Sequence, residues 1–154
     1  MGKSLGLALV AVGCGAAILG TMAACSTPGS AATSSRFTVV EHNHTDASEL
    51  AKGGSLGDLV AFANPVYNAG DTAQVGSDQG TCIRTRLGKA WQCSWTTLLS
   101  GGSIVVEGPY YDSADSTLAI IGGTGAWSGA RGQMRLHSRS GQASKYDFTF
   151  EVQS

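Results

Sequence analysis

From Arg36 to the C-terminus, glycine, proline, asparagine, aspartate and serine cut the sequence into eight short segments. Each either alternates apolar and polar residues or runs apolar throughout, and no long stretch repeats its apolar residues every 3.6 positions. A chain patterned this way buries itself as strands. The segments predicted as strands are about 36–43, 58–64, 81–87, 90–99, 103–110, 116–121, 130–139 and 144–152. The 22 glycines in 154 residues, about twice the usual ~7%, supply turns where the strands stop. Eight strands with short links predict an all-β, eight-stranded antiparallel closed β-barrel. Closure removes the unpaired edges of an open sheet, and eight strands enclose an interior that side chains fill or that holds one small ligand. A β-sandwich is the alternative architecture.

The first 35 residues have a different character. Lys3 is the only charged residue before Arg36, and it precedes an apolar stretch running from Leu5 to Met22, the shape of a secretory signal. A permanent transmembrane anchor is the alternative, although the stretch is glycine-interrupted and near the lower length limit for a span. Thr21-Met22-Ala23-Ala24-Cys25 resembles a bacterial lipobox, which implies a lipidated Cys25 as the mature N-terminus. Residues 26–35 carry no charge and no large apolar side chain, so they read as a flexible stalk. The expected organisation is a lipoprotein-type signal peptide at 1–24, a tether at 25–35 and a folded domain at 36–154. The expected location is the bacterial cell membrane or surface, held by an N-terminal lipid anchor, with plain secretion as the alternative.

Charge narrows the partners. Ten basic and eleven acidic side chains give a net charge of −1, with no basic patch for a phosphate backbone, so nucleic acid is not an expected partner.

Strand parity sorts the candidate residues. Phe37, Val39, Glu41 and Asn43 share one face of the first strand, with Thr38, Val40, His42 and His44 opposite; Asp58, Val60, Phe62 and Asn64 share a face of the second. If these are inner faces, a carboxyl and two amides interrupt an apolar lumen, where desolvation raises a carboxyl pKa and demands hydrogen-bond partners. If they lie at strand ends, they are solvated at the rim.

The two cysteines of the folded domain oppose each other across a hairpin turning at Leu87-Gly88. Antiparallel pairing sets Arg86 against Lys89, Arg84 against Trp91 and Cys82 against Cys93, so a Cys82–Cys93 disulfide is expected, with free thiols as the alternative. The same register lays Arg84 over Trp91 as a cation–π pair, with Trp95 further along; this group reads either as a binding surface for a planar or carboxylated ligand or as wall packing. His42 and His44 face away from Glu41, which argues against a metal cluster. Gly122-Gly123-Thr124-Gly125 lacks the lysine of a phosphate loop and reads as a barrel turn. His137 has no evident catalytic companions.

Three blocks carry a resemblance: Gly57-Asp58-Leu59-Val60-Ala61-Phe62-Ala63-Asn64, Val106-Glu107-Gly108-Pro109-Tyr110, and Leu118 through Gln133 with its GGTGAWSGARGQ core. In order and spacing they resemble the allene oxide cyclase family from about Val39 to Val152, and GGTGAWSGARG also resembles the dirigent proteins. The resemblance implies a lumen that binds a small hydrophobic or amphipathic molecule, isomerisation or cyclisation without metal or organic cofactor, and assembly as a homotrimer. It implies Glu41 as stabiliser of developing positive charge, Asn43 and Asn64 as holders of a water or oxyanion, and Cys82 and Tyr110 as cavity wall; strand parity and hairpin pairing add Phe62, Arg84 and Trp91 as ligand-binding candidates. Ser48 is followed by Glu49 where the family has serine-proline, Arg84 and Arg86 share the face of Cys82, and Cys93 is extra; these departures point away from the plant fatty-acid substrate. A non-catalytic dirigent-type binder or carrier, and a structural cell-surface module with a filled lumen, are the rival functions.

Overall fold

The computed structural model describes residues 34–44, 48–49, 54–142 and 144–153, so the export segment, most of the tether, Cys14 and Cys25 lie outside the described residues. The strands are β1 (Ser34–His42), β2 (Ser48–Glu49), β3 (Leu59–Asn68), β4 (Gln74–Arg86), β5 (Ala90–Leu99), β6 (Gly102–Tyr111), β7 (Ser116–Gly125), β8 (Arg131–Ser138) and β9 (Lys145–Gln153). Ser34 and Ser35, assigned above to the tether, already pair with Gln153 and Val152, which moves the domain boundary two residues upstream.

Every pairing is antiparallel, and the sheet closes on itself: β1 pairs with β9 along its whole length and with β3 at Val39↔Asn68, Val40↔Tyr67 and Glu41↔Val66. The eight long strands therefore form a closed barrel, not a sandwich. β1 covers only the C-terminal end of β3, and the two-residue β2 pairs with Ala61 and Val60 further down the same edge. The seam is thus made by two pieces of chain, and Glu41 lies at the end of the first.

Three strands run well past the segments their pattern predicts, and β3 continues four residues beyond Asn64 to Asn68. β4 begins at Gln74, seven residues before the expected start, because Gly76, Gly80 and the polar residues between them weaken the alternation without breaking the ladder. β7 runs through Gly122–Gly125, which correct the turn reading: Ser103, Gly102 and Ile104 pair with them, and the turn follows at 126–129. These glycines suit close approach, since a Cβ on Gly123 would overlap the Trp127 backbone carbonyl. A register shift between Arg84 and Arg86 sets Arg86 against Ala90, so the expected Arg86–Lys89 pair does not form.

Inward residues of one half of the barrel fill it. Val66, Ile104, Val106, Leu118, Met134 and Phe150 are fully buried, and Phe37 stacks on Phe150 and Trp127 at 5.0 and 5.1 Å between ring centres. This plug closes one end. The other end holds a cavity of about 410 Å³ with a largely aromatic lining.

Candidate functional site

The cavity is bounded by Glu41 and Asn43 of the first strand and its exit, Phe62 and Asn64 of β3, the Cys82–Cys93 disulfide, and rings from β5, β6 and β9. Glu41 is 6% exposed and Asn64 4% exposed, so both side chains are inside the barrel and not solvated at its rim. Asn64 donates from Nδ2 to Glu41 Oε1 at 2.6 Å, and its own Oδ1 accepts the backbone N–H of His44 at 3.1 Å. The amide therefore orients the carboxyl and ties the end of β1 across the seam, which is a more specific task than holding a water. Asn43 is exposed at the mouth, where its backbone N–H bonds Ser144 O at 2.8 Å. It touches the cavity but is not brought together with Glu41 in the interior.

Asp78 is a buried acid beside Glu41 that the sequence pattern did not single out. It is fully buried opposite Asn64 on β4, and neither of its oxygens has a hydrogen-bond partner of standard geometry. The polar groups facing it are the backbone amides of Asn64 and Asp78 and the Glu41 carboxyl. Burial pushes both acids up, Glu41 to about 7 against the pull of Asn64, and Asp78 to about 9 with the Glu41 charge adding to the rise. Two carboxyls within hydrogen-bonding reach in a dry place hold a proton between them and titrate as a pair. The signal was present: once β4 is extended back through Gly80, parity places Asp78 on the face of Cys82.

The walls are aromatic. Phe62 meets Trp95 edge-on at 6.0 Å, Trp95 packs on Phe148 at 5.5 Å, and Tyr110 meets Tyr146 edge-on at 6.4 Å. Burial, with Tyr146 beside it, holds the Tyr110 hydroxyl as the neutral phenol. The expected disulfide is formed: Cys82 and Cys93 are cross-strand partners with Cα atoms 4.0 Å apart, so Cys82 lines the cavity as part of a bridge rather than as a thiol.

The expected cation–π pair also forms, with the Arg84 guanidinium carbon 3.8 Å from the Trp91 ring centre. Arg84 is not among the residues bordering the cavity; its Nη1 donates to both oxygens of Asp112 at 2.8 and 2.7 Å. Trp91 itself is in the cavity wall, and Arg86 is exposed. The arginines thus place no positive charge in the cavity lining.

Outside the barrel, His42 stacks on Tyr67 at 4.0 Å and bonds Asp71, which also accepts from Lys145 at 2.6 Å; these two partners hold the Asp71 carboxyl below the usual range. His42 fastens the β3–β4 turn to β1, and Lys145 fastens it to β9. His137 is not alone, since its Nδ1 lies 2.7 Å from Asp115, but the pair is on the exposed face away from the cavity.

A model of the allene oxide cyclase family matches residues 37–153. Among solved structures, one described as pyocyanin demethylase superposes with a TM-score of 0.60 at 25% identity, covering 74% of this chain and 98% of that one. A pterocarpan synthase dirigent protein gives 0.63 at 19% identity over 90% and 99% of the two chains, and an exo-specific intermolecular Diels-Alderase gives 0.66 at 12% identity over 81% and 100%. The last two are likenesses of fold.

Proposed function

The chain belongs to the allene oxide cyclase family, and from that membership we propose that its lumen takes up a small hydrophobic or amphipathic molecule and isomerises or cyclises it. The observation that carries the reading is the Glu41 carboxyl, buried in an aromatic cavity and held at 2.6 Å by Asn64. A buried carboxyl costs stability and is retained where it has a task. Here the task is to face positive charge that develops on the ligand when one of its bonds ionises. Because the carboxyl is oriented in advance and water is excluded, its stabilising effect needs no reorganisation at the moment of reaction. The walls fold a flexible ligand so that the ends to be joined meet, which converts an improbable encounter into an internal step. The ligand loses and gains no atoms in such a rearrangement, so no co-reactant enters the scheme. Asn64 is a positioning residue; Phe62, Tyr110 and Trp91 shape the cavity.

The same proposal places the protein outside the cytoplasm, tethered through a lipidated Cys25. The Cys82–Cys93 bridge supports this, since structural disulfides persist in oxidising compartments.

The test offers lipophilic epoxides, polyenes and phenols to the full-length protein and to Glu41→Gln. Product formed by the wild type and lost in the variant is the expected result. Capture without product in both proteins would leave a carrier of the dirigent kind, and no capture would leave a structural module; either outcome overturns the catalytic reading.

A further inference from the structure

Resting on the reading that the lumen holds a ligand, we infer that this ligand is a planar aromatic cation, seated between the cavity's rings with its positive charge at Glu41. The argument begins with charge. Among the described residues bordering the cavity there are two carboxyls, Glu41 and Asp112, and no lysine, arginine or histidine. Asp78 adds a third carboxyl behind Glu41. The one arginine near the wall, Arg84, is spent on Asp112 and on the Trp91 ring. An anionic ligand entering this space would lose its hydration and meet only acids, a desolvation cost with nothing to offset it. A purely aliphatic ligand would bury its surface but leave the acids uncompensated.

The second observation is the lining. Phe62, Trp91, Trp95, Tyr110, Tyr146 and Phe148 present rings from four different strands to one cavity. Aromatic faces are electron-rich, so they attract a cation and stack on a flat one. Trp95, 4% exposed, gives ring surface to that wall and packs against Phe62 and Phe148.

The groups facing Glu41 are Asn64 from β3, Asp78 from β4, Tyr110 from β6 and Tyr146 from β9. None is cationic, so a bound cation is the counter-charge this carboxyl lacks. Binding then favours its ionised form, and a proton leaves the site as the cation enters.

Three probes of one shape test the idea on the full-length protein: N-methylquinolinium, 1-methylnaphthalene and 1-naphthoate, carrying positive, zero and negative charge on the same two fused rings. At pH 8 the cation is expected to bind about tenfold more tightly than the neutral compound, with the carboxylate weakest. Glu41→Gln is expected to bring the cation-to-neutral ratio close to one. As a second measurement on the wild type, calorimetry near pH 7 in two buffers of different ionisation enthalpy is expected to register proton release with the cation alone. Equal affinity for cation and neutral compound, or a preference for naphthoate, overturns the cation inference and leaves lumenal binding standing. Failure of all three to bind overturns both.

Discussion

Asn64 Nδ2 donates to Glu41 Oε1 at 2.6 Å although the two residues stand 23 positions apart and on opposite sides of the barrel's closing seam. The bond joins the last inward residue of β1 to an inward residue of β3 at the point where β1 leaves the sheet, so barrel closure and carboxyl orientation are one interaction.

Removing that amide should be read at the carboxyl. Asn64→Ala is expected to raise the Glu41 pKa further, because the amide bond favours the ionised form. It should also cost about 1–3 kcal/mol of stability. Carbon NMR titration of the Glu41 carboxyl and denaturation at pH 8 measure the two effects; an unmoved titration curve would show that Asn64 does not set the acid's state.

The acid pair makes stability depend on pH in a stated direction. Both folded-state pKa values are raised, so the contribution is fully present below the ordinary carboxyl range and is lost as pH rises through about 7 and about 9. Asp71 and Asp115 are lowered and act oppositely, losing their contribution only as pH falls through the acid range. Asp78→Asn cannot ionise and is expected to exceed the wild type at pH 9 by at least about 1.4 kcal/mol, the equivalent of one pKa unit, with a smaller gap at pH 5. A gap independent of pH would refute the buried pair.

The disulfide closes a short loop, with 11 residues of sequence separation. Replacing Cys82 and Cys93 by serine is expected to lower stability by roughly 2–3 kcal/mol from loop entropy. Thiol titration of the exported, unfolded protein should find neither cysteine reactive; two reactive thiols would rule out the bridge in the native molecule.

Gly80 leaves room for the cavity wall. A Cβ there would overlap the Trp95 Cβ and the Ser94 carbonyl, so Gly80→Ala is expected to cost about 1–3 kcal/mol and to displace the indole. Thermal unfolding and near-ultraviolet circular dichroism report on the two; a variant with native stability and spectrum would mean the strand shifts freely.

Membrane attachment tests the proposed location. Cys25→Ser is expected to release the protein from the membrane fraction into the medium or periplasm, and attachment unchanged by the substitution excludes a lipid anchor on that residue.

Much of this architecture was legible in the residues themselves. The two-residue period, the glycine punctuation and the missing helical period were enough for an eight-stranded barrel, and parity alone put Glu41 on the face of Phe37 and Val39, Asn64 on the face of Phe62 and Cys82 opposite Cys93, while leaving open whether Glu41 and Asn64 were buried or solvated at the rim. These are properties of a strand by itself, set by local backbone geometry. Where a strand carried glycine and polar residues on its inner face, as at Gly76–Gly80, the pattern faded and Asp78 was lost with it, because only the partners Asn64 and Thr97 on β3 and β5 hold that segment extended. The sequence laid Arg84 over Trp91 but could not say that Asp112 holds its guanidinium, or that Asn43 stops at the mouth while Glu41 goes inside. Those outcomes depend on where the ring of strands closes and which end the core plugs. A short-range pattern fixes which way a side chain points from its own strand, whereas burial, pairing and charge state follow from groups brought together by closure over long stretches of chain.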